Sequence, residues 1–140
     1  YGSLGEMNRQ WGTGFANWYD VYPLTCDETM DAQEKGGPAN FASWADHRAF
    51  MDDTFAEFFG EIRKIGLEVD PIGTFSQGGC QWPTIYGGWD YAKVVRTIDA
   101  IIPYNIGSNQ EIIRSIRPSL KNLSPFFGDH ERQVRQMWFA

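Results

Sequence analysis

Side chains able to recognise a polar ligand without charging it gather in two stretches of the chain. The first holds Gln77, Gln81, Trp82, Tyr86, Trp89 and Asp90; the second holds Tyr104, Asn105, Ser108, Asn109, Gln110 and Glu111. Amides both donate and accept hydrogen bonds, and flat rings stack on the apolar C–H faces of a ring-shaped polyol. A third, shorter stretch, Asp129-His130-Glu131, adds carboxyls. Each residue also has a role that needs no ligand. Asp90 can start a helix, Glu111 suits the positive end of a helix, and Asp129 can cap one. The glycine-rich loop carrying Trp82 can simply fold over the rim of a sheet.

Other chemistries are disfavoured. The net charge is −6, and binding a phosphate backbone needs clustered Lys and Arg. Gly78-Gly79 is not followed by the Lys-Ser/Thr of a phosphate loop. His47 and His130 have no second histidine at ligand spacing, so neither a metal nor another cofactor is expected. Cys26 and Cys80 read as two thiols rather than a disulfide framework. No apolar run reaches the roughly 18 residues of a membrane span. The aromatic content is 16%, with six tryptophans, which together with the acidic balance favours a neutral sugar as ligand.

The elements that position these residues follow from pattern. Ser3 to Trp11 predicts a short helix, with Ser3 as cap, Glu6 three residues on, and Gly12 as stop. Residues 16–40 read mostly as a long loop insertion. Ser43 to Ile65 predicts a longer helix capped by Ser43, with Asp46 near its positive end. Its buried face would be Phe55, Phe58, Phe59, Ile62 and Ile65, and Gly66 would end it. Pro71 to Ser76 is a strand candidate and Gly88 to Ile98 a helix. Ala100 to Tyr104 is a second strand, Asn109 to Arg117 a helix, Leu123 to Phe127 a weak third strand, and Glu131 to Ala140 a last helix. This alternation predicts an α/β fold with a parallel sheet and covering helices, either open or closed into a barrel. In both, ligands meet the loops after the strands.

The opening segment is the most specific. Tyr1-Gly2-Ser3-Leu4, Met7-Asn8 and Trp11-Gly12-Thr13-Gly14-Phe15 resemble a stretch of glycoside hydrolase family 42, the β-galactosidases, in a divergent branch. Asp46-His47-Arg48-Ala49-Phe50-Met51 is similar to that family's next helix. Thr74-Phe75-Ser76 with Tyr86-Gly87-Gly88-Trp89-Asp90-Tyr91 is similar to its fifth strand, loop and helix, and Ile101-Ile102-Pro103-Tyr104-Asn105 to its sixth strand. The resemblance implies a partial (β/α)8 barrel, about strands 5 to 7 with flanking helices. Residues 1–140 would be an internal fragment of one catalytic domain, since a whole barrel takes about 250 residues. It implies a retaining glycosidase for β-linked galactosides or related neutral sugars, with two carboxyls about 5–5.5 Å apart. The acid/base would lie upstream of Tyr1. The nucleophile would end the seventh strand, near Ser124-Pro125-Phe126-Phe127, which has no carboxyl. That departure leaves open a nucleophile from another position, with Glu111 the first choice and Asp129 the second, a seventh strand placed elsewhere, or a binding or structural barrel domain that has lost hydrolysis. The partners implied are a carbohydrate, the rest of the parent chain and, in the full-length protein, a second copy; nucleic acid and membrane are not expected.

Overall fold

In a computed structural model the chain divides into two units, Tyr1–Met51 and Asp52–Ala140. The structure describes residues 1–36, 40–80, 89–103 and 109–123.

The first unit begins with helix α1, Leu4–Trp11. Ser3 caps it by accepting the Glu6 N–H at 3.2 Å, and Gly12 closes it with φ of 70°, a left-handed turn that costs glycine little. The Glu6 carboxylate reaches back to the N–H of Gly2 rather than Ser3. Asn8 organises the turn that follows. Its Oδ1 accepts from the Thr13 hydroxyl and the Phe15 N–H, and its amide donates to the Phe15 carbonyl.

The expected loop at 16–40 is largely structured. It contains a 3-10 turn at Trp18–Asp20 and a helix α2 at Cys26–Glu34. The cause is local. Thr25 and Glu28 form a reciprocal capping box, in which the Thr25 hydroxyl accepts from the Glu28 N–H and the Glu28 carboxylate accepts from the Thr25 N–H. The Thr25 backbone and hydroxyl hold the Glu28 carboxyl below its ordinary range. Thr29 is buried beneath this turn and donates to the Thr25 carbonyl.

Helix α3 runs Ala42–Val69, and the boundary between the units falls within it. Three expectations are corrected here. Ser43 is not its cap. The Asn40 side chain accepts the Ala42 N–H, while Ser43 is buried and accepts the Leu24 N–H. Gly66 does not end the helix, because its lack of a side chain makes room for the ring of Phe75. The buried face also differs from the expected one. Ala56 is buried and Phe55 and Phe59 pack against the core. Phe58, Ile62, Ile65 and Val69 form an outward stripe, 58%, 42%, 59% and 86% exposed.

The second unit holds a three-stranded parallel sheet in the order β1 (Ser76–Cys80), β2 (Ala100–Pro103), β3 (Lys121–Asn122). Helix α4 (Tyr91–Val94) lies in the first connection and α5 (Asn109–Ile116) in the second. Parallel neighbours require such crossovers. Strand β1 begins where the expected strand 71–76 ends, α4 is shorter than the expected 88–98, and β3 precedes the expected 123–127. Residues 124–127 and the expected helix 131–140 lie outside the described residues. Ile101, fully buried, packs with Val94, Val95, Ile98, Ile113 and Leu120 to make the core.

Two charged groups lock the N-terminal ends of the strands. Asp99 receives Arg63 through both carboxylate oxygens, at 3.0–3.2 Å, and also the N–H of Phe75. Arg117 donates to the carbonyls of Val95 and Ile98 just after α4. The Arg63 hydrogen bonds hold the Asp99 carboxyl below its ordinary value of 3.8, against the opposing effect of burial, and the Phe75 N–H lowers it further. A carboxyl depressed on folding stabilises the fold above its unfolded value, and that contribution is lost as pH falls through the folded value. The expected result is loss of stability on acidification from about pH 5 to about pH 2. Urea melts across that range should show a shallower pH dependence for Asp99→Asn, which should also be less stable at neutral pH.

Candidate functional site

Parallel registry aligns Gln77, Ile101 and Asn122 across the sheet. Registered residues share a face, so two amides two strands apart, about 10 Å, flank a fully buried isoleucine. Asn109, the first residue of α5, is 1% exposed and Gln110 is 7% exposed. Gln77, expected in the loop after a strand, lies instead near the start of β1, and Asn109 opens the helix after β2. A helix N-terminus adds positive potential there.

Asn122 escaped the sequence reading. Both its amide atoms are buried and neither has a hydrogen-bond partner. A buried amide left so costs on the order of 1–3 kcal/mol. Asparagine is depleted in strands. No local pattern marks it, since a polar residue ahead of an apolar run carries no sign of burial.

The remaining candidates separate. Trp89 is half-buried in an aromatic cluster, 4.9 Å from Phe55 and 6.3 Å from Tyr91 between ring centres. Its ring contributes to packing. Asp90 caps α4, accepting the Ala92 N–H at 2.8 Å. Glu111 is exposed in the first turn of α5, where its charge complements the helix dipole. Gln81, Trp82, Tyr86, Tyr104, Asn105, Ser108, Asp129, His130 and Glu131 lie outside the described residues. Among the described residues, no group of three or more His, Cys, Asp or Glu side chains could hold a metal ion. Among them, too, no helix is long and apolar enough to cross a membrane.

No protein-family model, no curated protein and no solved structure matches this chain.

Proposed function

We propose that the chain is part of the (β/α)8 catalytic barrel of a retaining glycoside hydrolase acting on β-linked galactosides or related neutral sugars. The observation that carries the reading is the sheet. Three parallel strands follow one another in chain order, each connection bears a helix, and amides from Gln77, half-buried, and from Asn109 and Asn122, both buried, lie on the strands or on the helix after β2. Successive parallel strands with intervening helices are the repeating unit of a barrel. Amides suit a neutral polyol, because each can donate to one hydroxyl and accept from another. The opening segment's resemblance to the family 42 β-galactosidases supplies the reaction class. In this reading Glu111 provides negative charge beneath an oxocarbenium-like transition state, with Asp129 the second choice for the carboxyl.

A non-catalytic carbohydrate-binding barrel domain is the second reading. The exposure of Glu111 and its ready role at the helix end favour it.

The test is hydrolysis of p-nitrophenyl β-D-galactoside and related aryl glycosides by the longest polypeptide that contains this chain. The expected result is turnover that Glu111→Gln reduces more than about a hundredfold, the scale of losing one charge-stabilising group. A loss below about tenfold removes Glu111 from the mechanism. Saturable sugar binding with no turnover selects the second reading, and neither binding nor turnover sinks both.

A further inference from the structure

The first unit carries a feature that the glycosidase reading does not use. Trp11, Pro23, Asp46, His47 and Phe50 line a surface pocket of about 320 Å³. Its walls are largely apolar and its one carboxylate belongs to Asp46. The sequence suggested that Asp46 serves the start of α3. Instead, its Oδ2 accepts from the Tyr1 hydroxyl at 2.6 Å and from Trp11 Nε1 at 2.7 Å. Both donors are neutral, so the bonds fix the carboxylate in place without cancelling its charge. The Tyr1 phenol is pushed above its ordinary value, first by the hydrogen bond to Asp46, as a neighbouring anion requires. Oδ1 accepts no hydrogen bond among the described residues.

Two aromatic residues complete the wall. The indole N–H of Trp11 points at the carboxylate, which fixes the orientation of the ring. Phe50 is 63% exposed, so its ring is open to a ligand entering the pocket. Aromatic faces carry negative potential, and a carboxylate beside them adds a full charge. The apolar walls and the oriented Asp46 carboxylate, beside the His47 imidazole that also lines the pocket, suit a ligand with an apolar body and a positive charge.

We propose that this pocket binds a small organic ammonium ion, seated against Trp11 and Phe50 with its charge toward Asp46. A simple metal cation would leave the rings unused. A neutral apolar molecule would leave the oriented carboxylate facing a group it cannot bond. The proposal does not rest on the glycosidase reading, since every residue it uses lies within Tyr1–Met51.

The test is a titration of the whole chain followed by the Trp11 indole N–H signal in a proton–nitrogen spectrum, assigned with Trp11→Phe. The probes are choline, n-butylammonium and the uncharged isostere of choline, 3,3-dimethylbutan-1-ol. The expected result is saturable shifts with at least one ammonium probe at an affinity at least about tenfold above that of the isostere. Preference for choline marks a free quaternary ammonium as the ligand, and preference for n-butylammonium marks a lysine-like side chain. Asp46→Asn keeps an oxygen to accept from Tyr1 and Trp11, and should reduce the ammonium affinity to the isostere's level. Phe50→Ala removes an exposed ring and should weaken binding several-fold while the thermal midpoint stays unchanged. Equal binding of isostere and ammonium probes, no binding of either, or full affinity in Asp46→Asn or in a folded Phe50→Ala would overturn the proposal.

Discussion

Replacing Ile101 with alanine should destabilise the chain by about 2–5 kcal/mol. Ile101 is fully buried at the middle of the three-stranded sheet, with β1 on one side and β3 on the other. Its side chain packs with Val94, Val95 and Ile98 around α4, and with Ile113 and Leu120 around α5. Truncation loses the transfer energy of the removed carbons and leaves a cavity whose walls belong to hydrogen-bonded strands and helices. Such walls relax only in part, which places the cost above that of simple transfer. A domain is stable by only about 5–15 kcal/mol, so a loss of this size takes a large share of the total. Urea titration followed by circular dichroism should show a lower midpoint with an unchanged slope. Ile72→Ala is the matched control. Ile72 is 92% exposed, and its truncation should leave the midpoint within about 0.5 kcal/mol of the parent. If the two variants melt alike, Ile101 is not at the centre of a packed core.

This core was partly legible in the sequence. Val94, Val95 and Ile98 fall in the segment expected to be a helix over 88–98, and all three are buried. Strand β2 fell where an apolar run bounded by Pro103 placed it. Helix α1 followed from Ser3 and Gly12, because caps are local chemistry written in adjacent residues. The differences have two origins, a local capping signal without apolar periodicity in α2 and, elsewhere, contacts with distant parts of the chain. Helix α2 has little apolar periodicity, so a reading based on hydrophobic period passed over it, although the Thr25–Glu28 box was visible. In β1, Gly78 and Gly79 looked like loop. Their extended state comes from pairing with β2, which no local pattern encodes. The exposed stripe on α3 has the same origin. Phe55, Phe58, Phe59, Ile62 and Ile65 obey helical spacing together, and only the position of the neighbouring elements decides which of them face the core.

The candidate site divides in a similar way. Amides were expected in the loops after the strands; Gln77 lies within β1 near its start, and Asn109 opens α5, the helix after β2. Asp90 and Trp89 are accounted for by capping and packing, roles read from the sequence as alternatives. Asn122 was missed because a single polar residue before an apolar run gives no sign that it will be buried. Its two unpartnered amide atoms are nonetheless the strongest polar irregularity among the described strands.

Gly66→Ala is the substitution for which local rules and tertiary structure give opposite answers. Alanine is favoured over glycine inside a helix by about 1 kcal/mol. Position 66 lies within α3, three residues before its end, so propensity alone predicts stabilisation. The structure predicts the reverse. A Cβ at Gly66 would come within 2.0 Å of Cζ and 2.2 Å of Cε1 of Phe75, so the ring would have to retreat by more than an ångström. Its backbone has little freedom to follow. The Phe75 N–H donates to Asp99, and its carbonyl accepts the N–H groups of Asp99 and Ala100 at the entrance to β2. Relief must come from side-chain rotation away from a favoured rotamer or from bending α3, and forced repacking of this kind costs about 1–3 kcal/mol. No net stabilisation, and destabilisation of up to about 2 kcal/mol, is therefore expected for Gly66→Ala, once the helix gain is subtracted from the repacking cost. Phe75→Leu shortens the side chain and should relieve the clash. The double variant should then be more stable than the sum of the two single effects by at least about 1 kcal/mol in a double-mutant cycle. A stabilised Gly66→Ala, or additive effects in the cycle, would mean that α3 and the entry to β1 are not in contact at this point. The glycine would then be the helix terminator that the sequence suggested.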